Sequence, residues 1–391
     1  MSSIAYNKSL DLLNKVSSKN GFLASAENTS NYNRVWARDG VICGLAALAS
    51  GDEKLISTFS KTLETLASKQ HEMGTIPSNV LIDENNIEVS YGGLAGRVDA
   101  VTWFIIGVCQ YAIYKNDIAF FNKYKAQIDK AIFLLNAWEF NNNHLIYVPL
   151  SGNWADEYIT DGYVLYDQLL RVWALKSYNF FENNSQISSK IECITKQVEV
   201  NFFPNNSANV VHKKAYDELK FDKYLPCSFS PSGYKNQYDA FANALVLILN
   251  IGTAKAHKNI VEYSNTLIES TKLKLAPAFW PPIFENNEYW SLLKDNCKFE
   301  FRNYAYEFHN AGSWPMVNGF LVLGYLQNNE VEKASALLNS IEKANEIANY
   351  GFFENFNTET LKPNGVSECA WSAAANVLAY KSINSNFKLF T

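Results

Sequence analysis

The chain is short of charge, of histidine and of any clustering of cysteine. Charged residues make up 19% of 391 and the net charge is -5, so no basic surface is available to track a phosphate backbone and nucleic acid is not an expected partner. Short lysine clusters such as Lys213-Lys214 read as a solvated face. The six cysteines, Cys43, Cys109, Cys193, Cys227, Cys297 and Cys369, include no Cys-x-x-Cys pair and meet no histidine at ligand spacing. They read as reduced, mostly buried thiols of a cytoplasmic protein, with no metal site. No apolar run reaches the roughly eighteen residues of a membrane span, and the start, Met1-Ser2-Ser3-Ile4-Ala5-Tyr6, has no basic segment followed by an apolar one. Neither membrane insertion nor export is expected. A phosphate loop and a Ser/His/Asp order are also missing, so the expectation is no cofactor. No stretch rich in Pro, Gly and Ser divides the chain, and residues 1–391 are expected to form a single domain.

What is plentiful is apolar and aromatic. Hydrophobic residues reach 48% and aromatic ones 14%, enough for a large core. Apolar residues recur at three- and four-residue spacing near 4–17, 39–50, 53–70, 98–115, 117–139, 163–182, 186–202, 236–252, 256–270, 313–327, 330–346 and 366–383, predicting twelve helices. Short connections such as Gly51-Asp52 and Asn328-Asn329 alternate with long ones at 18–38, 71–97, 140–162, 203–235, 271–312 and 347–365. Alternation of this kind predicts an all-α fold, an (α/α)6 toroid of six helical hairpins, with the long loops on one functional face.

The unusual clusters fall in those loops. Gly152-Asn153-Trp154-Ala155-Asp156-Glu157-Tyr158 sets two carboxylates beside an indole, and an aromatic wall that strips water from a carboxyl group is one way to fit it for proton transfer near neutral pH. Asp39, in Asn33-Arg34-Val35-Trp36-Ala37-Arg38-Asp39-Gly40, is expected exposed at a helix start, where it could serve as an N-cap or as a site acid. Gly96-Arg97-Val98-Asp99 repeats the pattern, with Arg97 beside the acid. Phe308-His309-Asn310-Ala311-Gly312-Ser313-Trp314-Pro315 occupies the fifth loop, and in the sixth Glu354 is flanked by rings in Phe352-Phe353-Glu354-Asn355-Phe356.

In order and wording these loops resemble the (α/α)6-barrel glycoside hydrolases: alkaline/neutral invertases, glucoamylases and the amylo-α-1,6-glucosidase of glycogen debranching enzymes. The resemblance runs from about Asn31 to about Tyr380. Trp36-Ala37-Arg38-Asp39 is similar to a Trp-x-Arg-Asp element of glucoamylases, and Phe308 to Pro315 to the Tyr-His-Asn-Gly-Gly-Ser-Trp-Pro of invertases. Phe353-Glu354-Asn355-Phe356-Asn357, followed by Trp371-Ser372-Ala373-Ala374, parallels elements of both. Asn153 to Tyr158 departs from the invertases and looks more like the glucoamylase Trp-Glu-Glu.

The resemblance implies an inverting, exo-acting hydrolase of a glucoside or short oligosaccharide. Its general acid would be Asp156, with Glu157 as rival, and its general base Glu354, the carboxyls standing roughly 6.5–9.5 Å apart to admit water. Arg38, Asp39, Arg97 and Asp99 would grip the sugar. Trp36, Trp154, Glu157, His309, Asn310 and Trp314 would supply walls and hydroxyl contacts. The partner expected is a small saccharide. A sugar epimerase or isomerase on the same toroid, or a non-catalytic sugar-binding protein, are the alternatives.

Overall fold

A computed structural model describes residues 3–29, 31–83, 86–204, 209–219 and 223–391. The expected loops 18–38, 71–97 and 203–235 each contain positions outside the described residues. In chain order the helices are α1 (Ile4–Lys15), α2 (Ala37–Ser50), α3 (Glu53–Ser68), α4 (Val98–Lys115), α5 (Ile118–Ala137), α6 (Leu165–Glu182) and α7 (Ser185–Phe202). They continue with α8 (Lys213–Glu218), α9 (Ala240–Ile248), α10 (Ala254–Ser270), α11 (Trp290–Asn296), α12 (Pro315–Gln327), α13 (Val331–Tyr350) and α14 (Ala370–Ser385). Two short helices beyond the twelve expected, α8 and α11, lie within long loops.

Six helices close a ring. α2 packs on α4, α4 on α6, α6 on α9, α9 on α12, α12 on α14, and α14 returns to α2. Residue type explains which helices are inside. In α2 every residue except Arg38 and Ser50 is buried, because a helix apolar all round has to be covered on every side. α3, by contrast, buries Leu55, Ile56, Phe59, Leu63 and Leu66 along one stripe and leaves Lys54, Lys61 and Glu64 to solvent. The two meet closely: a Cβ at Gly44 would stand 2.0 Å from the Phe59 ring, so only glycine allows that approach. Between them Gly51 ends α2 in the left-handed region at φ 74, and Asp52 accepts from the N–H groups of Lys54 and Leu55 to start α3.

Five pairs are hairpins of consecutive helices: α2/α3, α4/α5, α6/α7, α9/α10 and α12/α13. The sixth is not a hairpin, because α1 from the start of the chain packs against α14 from its end. Regular geometry in α13 stops where expected, since Ile347, Ala348 and Asn349 leave helical dihedrals.

The all-α expectation needs correction. A four-stranded antiparallel sheet is made by Tyr163–Val164, Pro226–Ser230, Gly233–Asp239 and Phe279–Trp280, and a three-stranded one by Val35–Trp36, Asn79–Ile82 and Ile87–Ser90. Two-stranded pairs join Ser17–Ser18 to Gly21–Phe22 and Asn355–Phe356 to Pro363–Asn364. Most of these strands are too short for a period of two to emerge from the sequence, and they form because the toroid brings neighbouring loops side by side.

Helix starts stitch those loops together. The first N–H of an α-helix has no partner within it. Here that of Ala37 goes to the Ser78 carbonyl (2.9 Å), that of Val98 to Gly152 (2.7 Å), that of Ala240 to Ala278 (2.9 Å) and that of Ala370 to Ala24 (2.9 Å). Each acceptor belongs to the long loop leading into a neighbouring inner helix. The long loops thus form a continuous rim over the N-terminal ends of the ring.

Candidate active site

The same helix ends carry a ring of acids. Asp39, Asp99 and Asp167 lie in the first turns of α2, α4 and α6, and Asp239 caps α9 by accepting from the N–H groups of Phe241 and Ala242. Helix N-termini favour negative charge, but all four are buried, and burial opposes it. Burial pushes Asp39 up to about 6, against the pull of Arg38, and Asp239 up to about 7. Asp167 is driven well above the carboxylate range by burial and by Asp99, although the Asn153 amide donates to it at 2.9 Å. Asp39, expected exposed as a cap or a site acid, is 5% exposed, and Trp36 holds the N-cap position without a side-chain bond. The ring of inner helices, invisible in local spacing, closes over it.

Three arginine–carboxylate pairs adjoin this ring. Arg38 donates through Nη1 to Asp99 Oδ2 at 3.0 Å, holds Nε 3.8 Å from Asp39 Oδ2 and rests its Cζ over the Trp371 ring at 5.2 Å. Arg97 Nη2 donates to Asp156 Oδ2 at 2.6 Å, while Nη1 is held by the carbonyls of Ser151 and Ala95. Arg302 grips both oxygens of Glu157 and lies 4.0 Å over the Phe308 ring. Burial raises Glu157, opposed by Arg302.

Glu354 stands at the sixth loop, 4% exposed. Tyr32 donates its hydroxyl to Oε1 at 2.9 Å, and Oε2 has no protein partner among the described residues. Burial pushes this carboxyl up to about 7, with Arg302 and the Tyr32 hydrogen bond acting in the opposite direction. The backbone folds tightly over it: Gly365 has φ +71, and a Cβ there would come within 2.0 Å of Oε2. The charge of Asp156 raises Asp39 and that of Asp39 raises Glu354, so Asp39 links the two carboxyls singled out from sequence.

The aromatic residues lie elsewhere than expected. Trp154 and Trp314 are 2% and 1% exposed and pack edge-on against each other, with ring centroids 5.7 Å apart. His309 stacks on Trp314 with ring centroids 5.0 Å apart and meets Trp154 edge-on at 5.3 Å. Burial holds the imidazole well below its ordinary pKa, so it is neutral. The Asp156 side chain, by contrast, is 30% exposed. Glu354 has the water-poor setting that the Trp154 indole was expected to create for Asp156. Asn310 is turned to structure, bonding the Ile283 N–H and carbonyl and the Asn303 carbonyl. Trp36 is half-buried and donates to the Asn31 carbonyl at 2.8 Å.

Four residues of the cluster escaped the sequence reading. Asp239 carries the same signal as Asp39 and Asp99, an acid opening a nearly all-apolar helix, and that signal could have found it, whereas the α6 that Asp167 opens also contains Gln168, Arg171 and Lys176 and shows the signal less plainly. Tyr32 and Arg302 carry none, because their partners are 322 and 145 residues away.

Tyr32→Phe tests the first of these contacts. Losing a donor to a buried carboxylate favours its protonated form. The acidic limb of any Glu354-dependent activity is expected to move up by about one pH unit, read from a kcat profile between pH 5 and 9. An unmoved limb would count against Tyr32 as the positioner of Glu354.

With this geometry in place, known structures bear on the fold. GH63 mannosylglycerate hydrolase from Thermus thermophilus, in complex with Tris and D-glycerate, superposes with a TM-score of 0.69 at 11% identity, over 96% of this chain and 99% of that one. The fold is that of known glycosidases. A wild-type glycosidase superposes at TM-score 0.64 and 12% identity, covering 98% of this chain and 99% of its own, and a rhamnosidase from Klebsiella oxytoca with rhamnose bound at 0.61 and 10%, covering 99% and 65%. No family model matches the chain, and no curated protein does. Among the described residues no group of three or more His, Cys, Asp and Glu side chains is arranged to hold a metal ion. Nor is any helix there long and apolar enough to cross a membrane.

Proposed function

We propose that the protein is an inverting, exo-acting glycoside hydrolase of a small saccharide, with Asp156 as general acid and Glu354 as general base. The observation that carries this reading is Glu354 itself: a carboxyl shifted to about 7, with one oxygen free of protein partners. A base poised near working pH is what activation of water calls for. Asp156, held by Arg97 and more open to solvent, gives its proton to the glycosidic oxygen as the bond to the anomeric carbon breaks. Water adds to that carbon from the other face, and its proton passes to Glu354. A free sugar of inverted configuration and an alcohol leave. Arg38, Asp39 and Asp99 orient the sugar hydroxyls, and a cluster adjoined by Trp154, His309 and Trp314 suits the terminal unit of a short substrate. The fold shared with known glycosidases supports hydrolysis of a glycosidic bond.

The test is release of reducing sugar from a panel of glucosides and sucrose, extended to mannosylglycerate and rhamnosides by the names of the structural neighbours. Early-time NMR of the product anomer accompanies it. No turnover across the panel, or net retention of configuration, would overturn the hydrolase or the inverting mechanism respectively.

The buried acids set a further expectation. A carboxyl raised in the folded state binds its proton more tightly there than in the unfolded chain. Its stabilising effect is therefore full below about pH 4 and is lost as pH rises through the folded value. For Asp39, Asp239 and Glu354 that loss begins near pH 4 and is complete by the folded values of about 6 to 7. The midpoint of urea unfolding is expected to be lower at pH 8 than at pH 5, while activity, which needs ionised Glu354, rises over the same interval. Parallel rather than opposed trends would contradict the assignment.

A further inference from the structure

A cavity of about 480 Å³ has Arg97, the residue that bonds Asp156, in its wall. Tyr91, Trp138, Phe140, Tyr147 and Pro149 line it, and among the described residues Arg97 is its only charged side chain. The size falls within the usual range for a small-molecule site, and a mostly apolar lining with one polar anchor is the usual composition of one. The rings are held from behind. Tyr91 donates its hydroxyl to the Lys69 carbonyl at 2.7 Å, Tyr147 packs edge-on against Tyr163 at 5.3 Å, and the Tyr147 N–H bonds the Trp138 carbonyl at 2.9 Å. Phe140 contributes little to the core. It is 74% exposed and sits at φ 52 in a turn where Asn142 and His144 also have positive φ. A phenylalanine in left-handed backbone with its ring in solvent costs stability, and such strain gathers at ligand clamps.

We propose that this cavity is the aglycone pocket, taking an apolar, ring-bearing leaving group stacked between Trp138 and Phe140. The proposal rests on the reading of Asp156 as the acid. An acid protonates the leaving oxygen, so the group attached to that oxygen must lie on the acid's side of the site. Arg97 bonds Asp156 at 2.6 Å and is at the same time a wall of the cavity, so one side chain joins the cavity to the acid. The lining offers ring faces and few hydroxyl partners, so it favours an aryl alcohol over a second sugar.

Binding and turnover test it separately. The full-length protein is titrated with 2-naphthol by calorimetry, as wild type, Trp138→Ala and Phe140→Ser; the exposure of Phe140 makes the second variant safe for folding. Expected is saturable binding weakened about tenfold or more in each variant and kept in Glu354→Gln. No binding, or binding indifferent to both changes, would overturn the pocket. In kinetics, the ratio of kcat/KM for a 4-nitrophenyl glycoside to that for the methyl glycoside of the same sugar is expected to fall about tenfold in Phe140→Ser. An unchanged ratio would overturn the aglycone role. Binding that depends on Trp138, in a wild type that cleaves no glycoside, would overturn the hydrolase reading while leaving the ring-binding cavity standing.

Discussion

Glu354→Gln is expected to lower kcat by about 10²- to 10⁴-fold, the usual worth of a positioned base, while a product sugar still binds. The amide matches the carboxylate in size, so the close approach of Gly365 and the Tyr32 contact need not change. Removing an ionisable group raised by burial also removes the cost of charging it. From a shift of roughly 4.5 to about 7, the variant should be more stable than wild type at pH 8 by an amount on the order of 3 kcal/mol, and by roughly a quarter of that at pH 5. Kinetics on purified protein, calorimetric sugar binding and urea unfolding at both pH values read the three parts. A variant that keeps wild-type turnover ends the assignment of Glu354 as base. One that loses turnover and gains no stability at pH 8 argues against the burial account of its pKa.

Asp156→Asn separates the acid from its neighbour Glu157. A leaving group of high pKa needs a proton as the bond breaks, and 4-nitrophenolate does not. The variant is therefore expected to lose about 10²- to 10⁴-fold in kcat/KM on an alkyl glycoside or disaccharide. On a 4-nitrophenyl glycoside the loss should be roughly tenfold or less. Glu157→Gln should show no such dependence on leaving group, because Glu157 already spends both oxygens on Arg302. If the dependence followed Glu157→Gln instead, the acid would be Glu157 and Asp156 the residue that positions Arg97.

The two assignments differ in how openly the sequence displayed them. Asp156 was singled out for an indole beside it, yet that indole turns into the core against Phe279, with ring centroids 5.6 Å apart and planes 13° from parallel. Glu354 was singled out for flanking rings, and its water-poor setting comes from Gly365 and the surrounding rim. Neighbouring residues in a loop point in different directions, so adjacency in sequence says little about who desolvates whom. Asn310 and Trp314 make the same point. They belong to the most distinctive motif in the chain, and what they do in the structure is hold the loop and fill the core.

The sequence by itself determined the helices, their inner or outer place and the loops that matter. Those depend on apolar periodicity, caps and turn residues, which act over a few residues and can be read locally. It also placed acids at the starts of apolar helices, from Asp39 to Asp239. Only the tertiary structure decided that α1 would close the ring against α14, that short strands would line the rim, and that Tyr32 and Arg302 would reach Glu354 and Glu157. Those pairings join segments far apart in the chain. Their energy comes from burial and charge in a shared cavity that does not exist until the toroid closes.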